Sequence, residues 1–310
     1  MALSVDELNA LTRKHWIGNG KAQDNYFTGN LLTLRLMKKA KRIGGGTKIK
    51  APLIYDGLNG GFFVAGDTFD TSKKEIHTAA EFDWSKAYVN VTYDIDDEIE
   101  NAGAEQEVNL LMSKLQAAQK TIRDDIIAAK LFDSTGTALA GLDDLFNTTT
   151  STAYGGIAED DMSTWTANQT TTASTMSLAL MRTIRRTAKV GDNDLTDVPS
   201  IYLTTDTLRD KYEALLQPQM RYSDNNLAKA GFKNLMFGNA VVVADMKSTA
   251  SYVTALNERF VKFYVHKKFF FKQSPWKQPT NQAIKVSQIL WAGNLVCTQR
   301  RAHCQYTSVS

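Results

Sequence analysis

A cluster of three glycines flanked by basic residues is the first feature of the sequence whose spacing suits a chemical role. The segment KRIGGGTKIK places Gly44, Gly45 and Gly46 between a basic cluster and a run with strand character. Glycine-rich loops bind phosphate when they lead into a helix, because the N-terminal amides of the helix then point at the anion. Here Thr47 and Lys48 lead into alternating residues that are typical of a strand. The spacing therefore favours a hinge at Gly44, Gly45 and Gly46 over a phosphate site.

Two cysteines and a histidine near the C-terminus form a second candidate cluster. Cys297, His303 and Cys304 are metal-ligand types, but a structural zinc site needs four ligands, and the other histidines are scattered along the chain at positions 15, 77 and 266. Two cysteines in one segment also provide no disulfide framework. We interpret them as buried or half-exposed structural thiols, since free cysteine is usually buried, and we predict no metal and no cofactor.

Five carboxylates between Asp94 and Glu100 are a third candidate, for metal binding or for acid–base catalysis. Their spacing lacks the mid-loop glycine and the terminal glutamate of an EF-hand. The run follows a strand pattern and precedes a helix pattern, and carboxylates are favoured near a helix N-terminus. We interpret it as a solvated strand-to-helix junction. The Gly-x-Ser-x-Gly elbow of hydrolases is absent too, so the sequence predicts a protein that is not an enzyme.

Charge and composition limit the classes of protein to which the chain could belong. The 310 residues hold 36 Lys and Arg against 33 Asp and Glu, a formal charge of +3 that is too small to predict nucleic-acid binding by itself. The first residues are acidic where a secretion signal is basic and then apolar, and no run reaches transmembrane length. We therefore expect synthesis in a cytoplasm and no membrane partner. The basic clusters at 38–42, 182–189 and 300–301 favour intersubunit pairing or weak contact with a polyanion.

Two alternating runs around a second glycine-rich segment predict a long β-hairpin. Ile49, Ala51 and Leu53 share one face, and a second run with the same period extends from Ile76 to Trp84. The opposite faces carry charges that would be cross-strand neighbours. The charged positions on and beside the two runs are Lys48, Lys50, Glu75, Glu81 and Asp83.

The tip of this hairpin combines glycines with three phenylalanines, Phe62, Phe63 and Phe69. A two-stranded ribbon is marginal in water, and phenylalanines on a loop favour aggregation unless another surface covers them. We expect that another subunit covers them, so that the aromatic and charged residues of the hairpin make intersubunit contacts. The alternative is that the hairpin folds back on its own domain.

The remaining patterns predict an α+β protein with two lobes. A long strand from residue 86 leads to the strongest helical period, from Glu105 to Phe132, whose exposed positions would include Arg123 and Asp124 as a solvated or intersubunit face. A Thr-rich connection follows, with Trp165 as its anchor. A second lobe alternates helices and strands, and strand character returns after residue 283.

Local phrases and the order of these parts resemble the major capsid protein of tailed bacteriophages, the Hong Kong ninety-seven type of shell fold that encapsulins share. The phrases are PSIYLTTDTLRDKYEALLQPQMRY, GFKNLMFGNAVVVADM and YVTALNERFVKFYVHKK. The resemblance covers nearly the whole chain. It implies an N-terminal arm at 1–43, an extended hairpin loop at 44–85, a peripheral domain with a spine helix at 86–174, an axial domain at 175–282, and C-terminal strands at 283–310 that return to the peripheral domain.

The resemblance also implies partners and a location. The chain would assemble with itself into pentamers and hexamers of a closed icosahedral virion shell, formed in the bacterial host cytoplasm. A separate scaffolding protein, a portal and weak contacts with packaged double-stranded DNA are implied as well. The isopeptide cross-link of some relatives is not carried over, because no matching asparagine or glutamate accompanies Lys73 and Lys74. The alternatives are an encapsulin-like nanocompartment shell and a non-assembling enzyme.

Overall fold

The computed structural model describes residues 26, 29–94, 110–133, 139–149, 152–220, 235–280 and 282–310. The Ser-x-x-Glu capping box from Ser4 to Glu7 predicts a short N-terminal helix; that segment and the acidic run beyond Asp94 lie outside the described residues. The described helices are α1 (Leu31–Lys38), α2 (Leu110–Lys120), a π-helical segment (Thr121–Ile127), α3 (Ala128–Phe132), α4 (Leu142–Phe146), α5 (Leu178–Thr187), α6 (Asp206–Met220) and a 3₁₀ turn (Arg300–Ala302). The described strands are β1 (Lys41–Ile43), β2 (Ile49–Ile54), β3 (His77–Phe82), β4 (Ser85–Asp94), β5 (Asn168–Thr170), β6 (Ile201–Thr204), β7 (Met236–Phe237), β8 (Ala240–Ala244), β9 (Val253–Leu256), β10 (Val261–His266), β11 (Lys272–Gln273), β12 (Ile284–Cys297) and β13 (Cys304–Tyr306).

A five-stranded sheet joins the two ends of the chain. Strand β12 pairs antiparallel with β4 along ten residues, from Gly293 opposite Ser85 to Ile284 opposite Asp94. Its other edge pairs with β10 and then with β11, and β1 lies parallel to β10 at the margin. Strand β12, near the C-terminus, thus lies beside the long strand that begins at Ser85.

The helical rod packs on this sheet and is continuous from Leu110 through the π-helical segment to Phe132. Ile122, Ile127 and Leu131 are fully or almost fully buried. The predicted solvated position of Asp124 is wrong: its side chain is 1% exposed and pairs with Arg123 over 2.6 Å. A π-helical turn holds more residues than an α-helical turn, so the side chains beyond Lys120 rotate relative to a regular α-helical period.

A six-stranded sheet forms the second lobe in the order β5, β13, β9, β6, β8, β7. Helix α5 begins at the cap Ser177, whose hydroxyl accepts a hydrogen bond from the amide of Leu180, and it buries Met181 and Ile184 in a second hydrophobic core. Mixed sheets and helices in two cores confirm the predicted α+β class.

Two expectations about the chain ends need correction. Only β12 returns to β4, whereas β13 pairs with β9 and β5 in the six-stranded sheet, because the 3₁₀ turn between them redirects the chain. The sequence before Ile43 predicts an arm with little core of its own, but Leu32 and Leu36 of α1 are 0% and 2% exposed and lie in the first hydrophobic core. In the described part of the chain, no helix combines the length and apolar character needed to cross a membrane.

Candidate intersubunit surface

The three hinge glycines differ in backbone conformation. Gly45 and Gly46 have φ angles of +144° and +127°, which residues with a side chain rarely adopt, whereas Gly44 does not lie in that range. The indole of Trp84 donates a hydrogen bond to the carbonyl oxygen of Gly46 over 2.8 Å. The turn therefore depends on glycine at positions 45 and 46. The hydrogen bond from Trp84, which follows β3, holds the backbone at Gly46.

The base of the hairpin packs on its own chain. Strands β2 and β3 pair antiparallel, with Ala51 opposite Ala80, and the inward residues along them join the first hydrophobic core. Gly155, at φ +63°, lies so close that a Cβ atom there would be 2.9 Å from the Cζ atom of Phe82. Its carbonyl oxygen accepts a hydrogen bond from the amide of Glu81 over 2.7 Å. At its base the hairpin therefore folds back on its own domain, which is the alternative that the sequence left open. The role of Gly155 was not predicted from the sequence.

Charges on the outer face of the hairpin pair with each other inside one chain. The ammonium of Lys50 lies 2.6 Å from a carboxylate oxygen of Glu81, and Lys48 lies 3.5 Å from Glu81 and 3.9 Å from Asp83. The hydrogen bond from Lys50 lowers the pKa of Glu81, and the charges of both lysines add to the effect. Glu75 is exposed at the end of the hairpin, where its backbone carbonyl accepts from the hydroxyl of Tyr55. The predicted cross-strand pairing is confirmed; a contact of these residues with another subunit stays a prediction.

The hairpin tip is exposed along its whole length. Phe62 is fully exposed, and Phe63 and Phe69 are each 67% exposed, although their two rings touch edge to face at 5.1 Å between centroids. Other exposed apolar side chains of the hairpin are Ile54, Leu58 and Val64. Local hydrogen bonds shape the loop, including one from the side-chain amide of Asn59 to Asp70 at 2.7 Å. The loop thus presents an apolar surface that no other described part of the chain covers.

Two buried carboxylates hold α1, and sequence analysis did not single them out. Glu258 receives hydrogen bonds from Arg35 at 2.7 and 2.8 Å and from Lys39 at 3.0 Å. Burial raises the pKa of Glu258, but the hydrogen bonds and charges of Arg35 and Lys39 outweigh it and lower the pKa to about 2. Asp245 accepts from Asn30, the N-cap of α1. The acceptors lie more than 200 residues away in the sequence, so no local pattern indicates these pairs.

The predicted burial of both cysteines is confirmed. Cys297 and Cys304 are 0% exposed, and burial raises the pKa of each thiol to about 12, so both stay protonated at neutral pH. Between them, His303 is also fully buried, and its Nδ1 atom accepts a hydrogen bond from the amide of Asn257 at 3.0 Å. Among the described residues, no group of three His, Cys, Asp or Glu side chains is placed to hold a metal ion.

Arg300 forms a polar centre inside the first lobe. Its guanidinium is 1% exposed and donates to the carbonyl oxygens of Leu145, Asn147 and Trp165, and it lies 3.3 Å from Glu159. Trp165 itself is 1% exposed, which confirms it as the anchor of the Thr-rich connection. Arg300 therefore stabilises the irregular backbone around residues 145–165, and the basic cluster predicted at 300–301 contributes one buried structural cation.

Solved structures of shell proteins share this architecture over nearly their full length. A chain of the cyanophage A-1(L) capsid is 16% identical, with a TM-score of 0.65, and the match covers 97% of this chain and 99% of that one. A chain of the Myoviridae phage XM1 capsid is 14% identical, with a TM-score of 0.55 and coverage of 96% and 98%. The SrpI encapsulin of Synechococcus elongatus PCC 7942 is 10% identical, with a TM-score of 0.56 and coverage of 100% and 97%.

No family model and no curated protein sequence matches the chain. The likeness lies in the fold, over essentially all of each chain. The chain therefore has the Hong Kong ninety-seven type of shell fold, which confirms the fold indicated by the order of its parts.

Proposed function

We propose that this chain is a major capsid protein that assembles with itself into the icosahedral shell of a tailed bacteriophage and encloses a double-stranded DNA genome. The observation that carries the proposal is the hairpin whose apolar tip is exposed, on a chain that has a capsid shell fold over nearly its whole length. Contiguous exposed apolar surface on a soluble protein marks an interaction site. A structural role also accounts for cysteines that burial keeps unreactive.

In this proposal the chain divides as the sequence suggests, with one change. Residues 1–43 act as the arm, 44–85 as the extended loop, 86–174 with β12 as the peripheral domain, and 175–282 with β13 as the axial domain. The pairing of β12 with β4 and of β13 with β9 supports this division.

The hinge glycines let one chain occupy different environments. Pentamers and hexamers of a closed shell place the same subunit at different angles to its neighbours, so the contacts require a rigid body with an adjustable extension. The base of the hairpin is fixed by Gly155 and the first core, and the turn at Gly45 and Gly46 precedes it. The tip, with Phe62, Phe63 and Phe69, then reaches a neighbouring subunit and is covered there.

Further partners follow from the same role. A separate scaffolding protein and a portal would guide assembly in the bacterial host cytoplasm, and packaged DNA would make weak, non-specific contacts with the shell. An encapsulin-like shell that encloses a protein cargo is the second candidate, and it is supported by the match of the whole chain to the SrpI encapsulin. A non-assembling enzyme is a weaker candidate, because the described pockets lack a cluster of catalytic groups.

The test is sedimentation of the purified protein followed by electron microscopy of the fractions. We expect closed shells, or rings of five and six subunits, with a scaffolding partner supplied where the chain alone does not close. Shells that protect DNA from added nuclease after expression with a packaging system support the phage role, whereas shells that purify with a protein cargo support the encapsulin role. A persistent monomer with the partner present would overturn both.

A further inference from the structure

An Asn-Gly pair in the hairpin tip has the residue types for a spontaneous covalent change. The sequence contains two such pairs, at 19–20 and 59–60, and the second lies on the exposed loop between β2 and β3. The carbonyl carbon of an asparagine side chain is attacked most readily by the backbone nitrogen of the next residue when that residue is glycine, because no Cβ atom hinders the approach. Asn59 is therefore a candidate modification site in the part of the chain that the structure describes.

The surroundings of Gly60 leave room for this attack. A Cβ atom at Gly60 would meet no atom of a non-neighbouring residue within 4 Å. Among the described residues, the backbone amide of Gly60 donates no hydrogen bond, so no acceptor holds its nitrogen away from the neighbouring side chain. Asn59 is itself exposed, which gives water access to the product of the attack.

The side-chain amide of Asn59 joins the two limbs of the loop. Its nitrogen donates to a carboxylate oxygen of Asp70 over 2.7 Å and to the hydroxyl of Ser72 over 2.9 Å. The backbone amide of Ser72 donates to the other carboxylate oxygen of Asp70 over 2.9 Å. Hydrogen bonds from the side chain and the backbone of Ser72 lower the pKa of Asp70, so this carboxylate is charged at neutral pH. We call Asn59, Asp70 and Ser72 the tip clasp.

The tip clasp closes the part of the loop that carries the exposed rings. Phe62, Phe63 and Phe69 all lie between Asn59 and Asp70 in the sequence. The edge-to-face contact of Phe63 with Phe69 connects the same two limbs that the clasp joins. The position of these rings relative to each other therefore depends on the hydrogen bonds of Asn59.

We propose that Asn59 deamidates in the unassembled chain, and that this modification opens the tip clasp and limits the time during which a subunit can assemble. The backbone nitrogen of Gly60 loses its proton and attacks Cγ of Asn59, where a carbon–nitrogen bond forms. The bond from Cγ to Nδ2 breaks, and Nδ2 leaves as ammonia with a proton. Water then opens the cyclic imide at either carbonyl and gives aspartate or isoaspartate, so the change needs no oxidant, reductant or enzyme.

The product of this reaction cannot form the clasp. A carboxylate at position 59 has no N–H group to donate, and it carries the same charge as Asp70, whose oxygen accepts from Asn59 over 2.7 Å. Isoaspartate also adds one carbon to the backbone of the loop. In a closed shell a neighbouring subunit covers the tip, so assembled subunits should retain Asn59. The effect on assembly rests on the proposed shell function, whereas the chemistry at Asn59 does not.

Peptide mass spectrometry tests the modification. Purified unassembled protein is incubated in mildly alkaline buffer, and samples taken before and during incubation are digested with trypsin. The peptide of residues 51–73 contains Asn59 as its only asparagine or glutamine, so it reports this site apart from the pair at 19–20. We expect this peptide to gain about 1 Da with time, and the same peptide from assembled shells to keep its mass. Isomerisation of Asp56, which also precedes a glycine, leaves the mass unchanged.

Gly60→Ala is the matched control for the chemistry. The backbone of Gly60 does not lie in the left-handed region and the site is open, so alanine fits there without strain. The added methyl group hinders the attack, and we expect the gain in mass to slow severalfold.

Two further variants test the effect on the clasp. Asn59→Asp reproduces the main change in charge and should lower the initial rate of assembly by about threefold. Asn59→Asp combined with Asp70→Asn places the amide opposite the carboxylate again, so it should recover most of the rate. Circular dichroism of the unassembled variants verifies that each is folded.

The outcomes separate this inference from the proposed function. A peptide whose mass stays constant in the wild-type protein, or rises equally fast in Gly60→Ala, would overturn the modification. Assembly of Asn59→Asp at the wild-type rate, or failure of Asp70→Asn to restore it, would overturn the role of the clasp and leave the shell function intact. Absence of any oligomer from the wild-type protein would overturn the shell function itself, and the peptide masses would still decide whether Asn59 is modified.

Discussion

The side-chain amide of Asn30 donates hydrogen bonds to both carboxylate oxygens of Asp245, over 2.6 and 2.7 Å. The two residues are 215 positions apart, and both are almost fully buried, at 4% and 6% exposure. The oxygen of the same amide accepts from the amide of Thr33 and begins helix α1. One side chain thus caps the helix and ties it to the loop after β8, so the arm is fixed to the body of the protein at Asn30.

Replacing Asn30 with Ala should destabilise the unassembled chain by about 1–3 kcal/mol, because the buried Asp245 loses its side-chain donor and keeps only the amide of Lys247, and the helix loses its cap. The free energy of unfolding in urea measures the effect. Asn239→Ala is the control, since its amide makes one exposed hydrogen bond of 3.4 Å, and its cost should stay within about 0.5 kcal/mol. Equal values for the two variants would contradict the role of Asn30.

Glu258 makes the free energy of unfolding depend on pH in the acidic range. Its pKa is lowered from the ordinary 4.5 to about 2, so the folded state favours the charged form. The stabilisation is complete above the ordinary value and is lost as the pH falls from there through about 2. Glu258→Gln should lower the free energy of unfolding by about 1.5–3 kcal/mol at neutral pH and flatten its slope in this window. Urea unfolding across the range measures both; Asp161→Asn at an exposed site should keep the slope.

His303 makes the free energy of unfolding depend on pH in a range that begins at a higher pH than that of Glu258. Burial lowers its pKa to about 3 from an ordinary 6.5, so the unfolded chain binds a proton that the folded chain excludes. Stability should therefore fall as the pH drops below about 6.5, before Glu258 begins to titrate. His77→Gln, at an exposed position, is expected to retain this slope, whereas His303→Gln should lose it. A slope between pH 6.5 and 5 that survives in His303→Gln would show that another group is responsible.

Gly155 and Gly156 form a matched pair for the base of the hairpin. Both have positive φ, but a Cβ atom at Gly155 would meet Phe82 at 2.9 Å and Ala80 at 3.0 Å, whereas Gly156 has open space. Gly155→Ala should cost about 2–4 kcal/mol from backbone strain and overpacking, and Gly156→Ala about 1–2 kcal/mol from the backbone alone. Thermal unfolding of the unassembled chains compares them. A smaller cost at Gly155 would mean that the hairpin base is not packed as described.

The hinge can be tested through assembly. Substitution of Val at Gly44, Gly45 and Gly46 together should leave a soluble, folded chain and sharply reduce the yield of closed shells in a sedimentation gradient. Of two single changes, Gly46→Val should be more harmful than Gly44→Val, because φ at Gly46 is +127°. Gly44→Val serves as the control, since a Cβ atom at Gly44 would meet no atom of a non-neighbouring residue within 4 Å. Normal shells from the triple variant would refute the hinge.

The sequence by itself determined the elements whose signal is local. Alternation placed β2 and β3 opposite each other with Lys50 beside Glu81, helical periodicity placed the long rod through Ile122, and composition identified Trp165 as an anchor. The strand pair, the helical rod and the anchor each depend on residues close together in the sequence or on a single pair of strands. The period of the apolar side chains indicates such local structure directly.

Only the tertiary structure decided the rest, because the relevant partners are distant in the chain. The hydrogen bond between Asn30 and Asp245 and the division of the C-terminal strands between two sheets join residues that are far apart in the sequence. The burial of Asp124 follows from a π-helical turn that an α-helical period does not indicate. The tertiary structure also placed β1 beside β10, which belong to two segments without Asp or Glu, residues 25–55 and 259–310. The net charge of +3 gave no sign that these basic segments are neighbours. Charge and burial at a surface depend on which strands become neighbours, and that choice is made by the packing of the whole chain.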